Sequence, residues 1–352
     1  MKPVPVPPTT PPHLVARLDA TSASGMGHAI RVDAVLREIS RPFRLSVIGR
    51  GEALGHFFPD ARCLGPEAVQ AGQPWEAGLA ALRPDLLLID VPRALEVRWD
   101  VLRASYAGSI ALIDDWGGPL DADLIVNGTV LDAYHHYPAL HAGGKVLAGP
   151  DHALLRPAFR HARWREPDGA NLVVVVGGGE RAAEWARWLA SQAPWPDMPV
   201  TLVVGAAFPG LPELAESLAS GQIALRVGIP GEALAGLLAQ ASLALTTGGM
   251  IVYECLALGT PLVFFPQLQD LLPEAEWFAA RGVGLSLGYA GGFDAAAIRA
   301  AVTNLLANAA ARQAMSRRQR TLLDGRGASR AAAAIEELLD QAGKGEGRWE
   351  GR

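Results

Sequence analysis

The sequence predicts an α/β protein built as two Rossmann-like domains, whose parallel sheets face each other across an interdomain cleft. Three observations lead there. At 352 residues the chain exceeds one average core, so two domains are expected. Short aliphatic runs alternate with longer helical patterns throughout, as in parallel strands covered by helices. Each half also carries a glycine-rich turn after its first strand. The first holds Gly25 and Gly27, the second Gly177-Gly178-Gly179.

Taken in order, residues 1–12 are proline-rich, lack the apolar core of a signal peptide and read as a disordered leader. The first domain, 13–165, offers strands at 13–18, 44–48, 85–89, 109–113, 123–126 and 145–147, with helical patterns such as 27–39 and 66–82 between them. A polar stretch, 164–171, contains Pro167, Asp168 and Gly169 and reads as a linker. The second domain, 170–310, restarts the rhythm with strands at 172–176, 200–204, 223–227, 243–246, 261–265 and 283–286. Helical patterns run from 294, and 311–342 form C-terminal helices before a glycine-rich, charged tail at 343–352 that reads as disordered.

Composition narrows the function. The chain is 50% hydrophobic and 19% charged, a globular balance. Its 31 basic and 36 acidic residues give a net charge of −5, which builds no surface for a nucleic-acid polyanion. Cys63 and Cys255 form no C-x-x-C, so a disulfide framework and a structural zinc site are not expected. Both read as buried thiols of a reducing cytosol. No run reaches the ~18 consecutive apolar residues of a membrane span. A cytoplasmic protein without stable membrane insertion is the expectation. The neighbours His135 and His136 point different ways from one element, so they read as loop residues and no metal site is expected. The nine tryptophans read mostly as packing residues.

Two turns carry candidate chemistry. After the first strand, Gly25 and Gly27 permit a tight turn and close backbone approach to a ligand. The helix that follows presents free N–H groups and its positive dipole end. His28 at that end favours a neutral imidazole, available as a base. No third glycine completes a dinucleotide fingerprint. In the second half, Gly178 and Gly179 offer backbone approach to a diphosphate or sugar. Thr246-Thr247-Gly248-Gly249 ends a strand and opens a helix whose first turn offers N–H groups to phosphate. Glu254 on that helix is placed to accept both hydroxyls of a ribose.

These residues resemble a known family, the UDP-sugar hydrolases of pseudaminic acid biosynthesis. More broadly the chain is similar to spore-coat polysaccharide proteins and lipid-II-forming N-acetylglucosaminyltransferases. The resemblance spans about 13–288. It rests on Arg17, Asp19, Gly25, Gly27, His28 and Arg31, on Asp114-Asp115 followed by Asp123 and Asn127, and on Tyr134 shortly after. The element Gly149, Ala153-Leu154, Arg156 and Phe159 and the glycine turn before Glu254 complete it. The resemblance implies a glycosyltransferase-B (GT-B) arrangement and a nucleotide-sugar substrate. It also implies cleavage of the anomeric C–O bond with inversion, using neither metal nor cofactor. His28 would activate water, and Asp19 would orient the sugar or the histidine. Arg17 and Arg31 would face the diphosphate or the surface. Asp115, Asn127, Tyr134, Thr247, Gly248 and Gly249 would complete the substrate site.

The sequence departs from that family where an Asn-Gln pair is usual. The region reads Phe264-Phe265-Pro266-Gln267-Leu268-Gln269-Asp270, with Gln269-Asp270 as a partial substitute. Three activities fit: hydrolysis of a UDP-linked amino-deoxy sugar, glycosyl transfer from a UDP-sugar, and nucleotide-sugar binding without catalysis. The sugar's identity and the oligomeric state are not specified by the sequence.

Overall fold

The computed structural model describes residues 10–21, 25–69, 73–177, 180–191, 198–205, 208–218, 223–289 and 294–343. The expected disordered leader and tail lie largely outside this set, as do Gly178 and Gly179.

The first sheet contains β1 (His13–Leu18), β2 (Arg44–Ile48), β3 (Arg62–Leu64), β4 (Leu86–Asp90), β5 (Ser109–Ile113), β6 (Leu124–Asn127) and β7 (Lys145–Ala148). The second contains β8 (Leu172–Val176), β9 (Val200–Val204), β10 (Ile223–Val227), β11 (Leu243–Thr246), β12 (Leu262–Phe264) and β13 (Leu285–Ser286). The orders are β3-β2-β1-β4-β5-β6-β7 and β10-β9-β8-β11-β12-β13. Every pairing is parallel, as between β1 and β4 or β8 and β11. The strand order reverses between β1 and β4 and between β8 and β11. At such reversals the connecting loops diverge and leave a crevice at the carboxyl ends of the strands.

Strand alternation builds the core. In β1, Leu14, Ala16 and Leu18 join one apolar cluster and Val15 the opposite one. In β8, Leu172, Val174 and Val176 face one way, and Val173 and Val175 the other. Edge strand β3 was not legible in the sequence, because its three residues carry no apolar run. Cys63 on it is exposed rather than buried, since an edge strand is covered less than a central one; Cys255 is buried. The helical pattern at 66–82 resolves into the short helices Pro66–Ala68, Trp75–Gly78 and Leu79–Leu82. Pro74, extended at φ −66° and ψ 154°, interrupts it.

Two exchanges of packing tie the halves together. The last helix, Gly327–Gly343, returns to the first sheet and buries Ala328, Ala331, Ala332, Ile335 and Leu339 beside β1 residues. Burial of Ile335 or Leu339 contributes about 1.5–3 kcal/mol each. The alanines let the helix approach closely, and at Gly327 a Cβ would lie 2.2 Å from the Ala153 carbonyl oxygen. In the other direction, Ala153, Leu155 and Phe159 pack into a cluster of the second half. Trp164, in the expected linker, donates its indole N–H to the Ala241 carbonyl at 2.6 Å. Among the described residues no helix is long and apolar enough to cross a membrane.

Candidate active site

His28 is the second residue of the helix Gly27–Leu36, which starts just beyond β1. Its Nδ1 lies 2.6 Å from Oδ1 of Asp90, the last residue of β4. Asp90 is fully buried. Arg31, one turn along the helix, meets the same carboxylate with Nε at 3.0 Å and Nη2 at 2.7 Å. Its Nη1 lies 2.7 Å from both oxygens of Asp115, just beyond β5. One guanidinium thus bridges two carboxylates, the bidentate geometry that makes arginine the favoured partner for a buried acid. Burial alone would raise the Asp90 carboxyl, but the Arg31 charge and the hydrogen bonds from His28 and Arg31 outweigh it and hold Asp90 below its usual range. Burial opposes the charge on Arg31, and the two aspartates overcome it, raising its pKa.

Asp90 is therefore a carboxylate and an obligate acceptor, so the proton of the neutral imidazole rests on Nδ1. Arg31 Nη2 also lies 3.2 Å from Nδ1. That contact is a proximity and not a donated bond, because an Nδ1 that carries the proton has no lone pair to accept one. Nε2 is left as the basic nitrogen.

The His28–Arg31 group opens on a cleft lined from both halves. The first half contributes Gly27, His28, Arg31, Asp115, Trp116 and Tyr134. Trp116 is 37% exposed, and its ring centroid lies 5.3 Å from that of Tyr134. Beneath this pair, Asp114 accepts from the Trp116 and Gly117 amides at 3.0 and 2.7 Å and from the Tyr137 hydroxyl at 3.0 Å. Burial raises the Asp114 carboxyl against those three donors, and Asp115 adds to the rise.

The second half contributes Gly249, Met250, Tyr253, Asp270, Leu271 and Glu274. Gly248 and Gly249 have φ of 88° and 77°, which favours glycine. They set the start of the helix Met250–Leu258 at the cleft. The walls come close here, since a Cβ on Gly27 would lie 3.9 Å from Met250 Cγ. The Tyr253 hydroxyl bonds to the carboxyl of Glu274, on the next helix, Leu272–Ala280. Burial pushes Glu274 up to about 7; Asp115 adds to this, and Tyr253 and Arg31 oppose it.

Several expected residues sit elsewhere. Asp19 does not orient His28. It accepts both Arg17 amino groups, at 2.8 and 3.0 Å, and the Arg50 amide at 2.8 Å. Arg17 in turn lies 5.8 Å over the Trp75 ring. Neither residue lines the cleft. Glu254 is 2% exposed and does not line this cleft; its buried carboxylate pairs with Arg156 at 2.7 Å. Burial raises Glu254 and Arg156 opposes. Asn127 is fully buried and saturated. It donates to the Tyr134 carbonyl at 2.9 Å and accepts from the Thr129 hydroxyl at 2.7 Å, so it shapes the Tyr134 turn. Thr247 is buried, Gln269 is exposed beside Asp270, and Gly25 (φ 72°) forms the turn before His28.

Sequence reasoning missed Asp90, Trp116, Tyr253 and Glu274. An acid ending an apolar strand was a legible signal for Asp90; the others carried none. Among the described residues, no group of three or more His, Cys, Asp or Glu is arranged to hold a metal ion.

Two doubly wound parallel sheets joined by a return helix, with a cleft between them, match known architectures over nearly the whole chain. MurG of Acinetobacter baumannii superposes with a TM-score of 0.63 at 14% identity, covering 93% of this chain and all of that one, 100%. The fold is GT-B. The glycotransferase of kitacinnamycin gives a TM-score of 0.59 at 19% identity over 94% of this chain and 99% of that one. In sequence, the chain is 24% identical over 265 residues to the spore coat polysaccharide biosynthesis protein SpsG of Bacillus subtilis (strain 168), covering 73% of this chain and 78% of SpsG. No family model matches the chain.

Proposed function

We propose that this GT-B chain is a glycosyltransferase that uses a nucleotide-sugar donor, with His28 as its base. The observation that carries the reading is the His28–Asp90 bond of 2.6 Å, which leaves Nε2 basic in a cleft whose far wall is the glycine-opened start of the helix Met250–Leu258. The helix start offers N–H groups and a positive dipole to a departing diphosphate. The acceptor oxygen bonds to the anomeric carbon and its proton passes to His28 Nε2. The C–O bond to the diphosphate breaks, and the nucleoside diphosphate leaves with the bonding pair. Such a leaving group is already good, so positioning and a base supply most of what the site must add. Similarity to SpsG, a polysaccharide biosynthesis protein, and to the glycotransferase of kitacinnamycin supports the reading.

The Trp116–Tyr134 pair favours transfer over hydrolysis. An exposed aromatic face beside the base suits the apolar face of an acceptor ring. Hydrolysis is the second reading, favoured by the Gly25-Met26-Gly27-His28 setting, in which water takes the acceptor's place. Nuclear magnetic resonance of purified protein with UDP-sugars, with and without glycan acceptors, separates the two. UDP release that requires an acceptor and vanishes in His28→Ala supports transfer. Release in water alone supports hydrolysis, and the absence of UDP binding overturns both.

A further inference from the structure

The second-half wall of the cleft has an unusual donor–acceptor balance. Among the described residues its polar side chains are Tyr253, Asp270 and Glu274, and no lysine, arginine, asparagine or glutamine of that half lines the cleft. Two are carboxyls, and the phenol of the third is committed to one of them. Opposite stands Asp115, 34% exposed at its side chain. Arg31, the lysine- or arginine-type cation of the lining, is occupied by Asp90 and Asp115 through Nε and both amino nitrogens. One guanidinium charge therefore already faces two carboxylates, and among the described residues no further lysine or arginine of the cleft lining stands beside Glu274 and Asp270.

Such a wall holds a group that donates hydrogen bonds and carries positive charge. A metal ion does not fit, because no three acidic or imidazole groups among the described residues come together. The charge must arrive on the substrate. Glu274 and Tyr253 belong to the half whose glycine turn faces the cleft, so on the proposed function the sugar attached to the diphosphate is the part that reaches them. We infer that Glu274, held by Tyr253, is the specificity-determining residue for the donor sugar, and that it selects a sugar bearing a free, protonated amine over its N-acetylated form.

The height of the Glu274 pKa agrees with this. Its ionised form is costly beside Asp115 and becomes favourable once an ammonium stands next to it. An acetamido group brings bulk and a carbonyl acceptor to a wall of acceptors and leaves the excess charge unpaired.

The inference rests on the proposed nucleotide-sugar reading, and the test keeps the two apart. Calorimetry measures binding of UDP and of UDP-sugars carrying a free amine at C2 or C4, each against its N-acetylated counterpart. Wild type and Glu274→Gln are compared. The expected result is at least about tenfold tighter binding of one free-amine sugar over its acetylated form, a charge-assisted bond's worth. That preference disappears in Glu274→Gln while UDP affinity stays the same. Equal or tighter binding of the acetylated sugars by wild type overturns the inference and leaves the proposed function standing. A preference that survives in Glu274→Gln also overturns it. Failure of UDP and every UDP-sugar to bind removes the proposed function and the inference with it. The wild-type comparison needs no variant, so poor folding of Glu274→Gln does not shield the idea.

Discussion

The Nδ1 of His28 and the Oδ1 of Asp90 lie 2.6 Å apart, although the residues come from a helix start and a strand end separated by 62 positions. The carboxylate fixes the imidazole tautomer and would stabilise the imidazolium that forms on proton uptake. Asp90→Asn keeps the shape but loses the charge and the obligate acceptor. The expected outcome is a fall in kcat of about 10²–10⁴-fold with little change in KM, read from steady-state turnover. An unchanged kcat would remove Asp90 from the mechanism.

Arg31 joins Asp90 to Asp115 within the protein. Arg31→Met leaves a fully buried carboxylate without its cation, which costs about 3–5 kcal/mol in comparable buried pairs. Chemical denaturation should show that loss. The double variant Arg31→Met with Asp90→Asn should recover part of it, because the uncompensated charge is then gone.

Glu274 links stability to pH. Its folded pKa of about 7 stands above that of the unfolded chain, about 4.3. The folded state therefore holds this proton more tightly. The associated stability is fully present below about pH 4, declines as pH rises, and is lost above about 7. Glu274→Gln removes the term. Melting curves from pH 4 to 8 should show the variant gaining on wild type by several degrees at the upper end, and parallel curves would contradict the assignment.

Gly248 has a φ of 88°, and a Cβ there would lie 3.3 Å from the Pro266 Cα. Gly248→Ala combines left-handed strain with a backbone contact, and about 1–3 kcal/mol of destabilisation is expected. Because the turn sets the helix start at the cleft, UDP affinity should weaken in parallel, as calorimetry can measure.

Trp116 separates acceptor from donor. Trp116→Ala should raise the acceptor KM about 3–10-fold through lost ring stacking, with the donor KM unchanged. A rise in the donor KM instead would move Trp116 to the sugar-nucleotide side.

Much of the architecture was legible in the chain. The buried strands β4, β5 and β8 announce themselves because burial on both faces leaves a continuous aliphatic run, a local property. The turns at Gly25-Met26-Gly27-His28 and at Gly248-Gly249 were legible for the same reason, since positive φ and a helix start are set within a few residues. The partners of the charges were not local. Asp90 reaches His28 because the parallel register sets Leu18 beside Asp90, placing both strand ends where the first helix begins. Glu254 turned to Arg156 because a buried carboxylate takes the nearest cation, which a different segment supplies. Glu274 met Tyr253 only because two consecutive helices of the second half pack side by side at the cleft. The sequence by itself determined the two sheets, the glycine turns and the candidate base. Tertiary structure alone decided which carboxylate orients that base and which ones face the cleft, because electrostatic partnership depends on distances of a few ångströms set by register and packing.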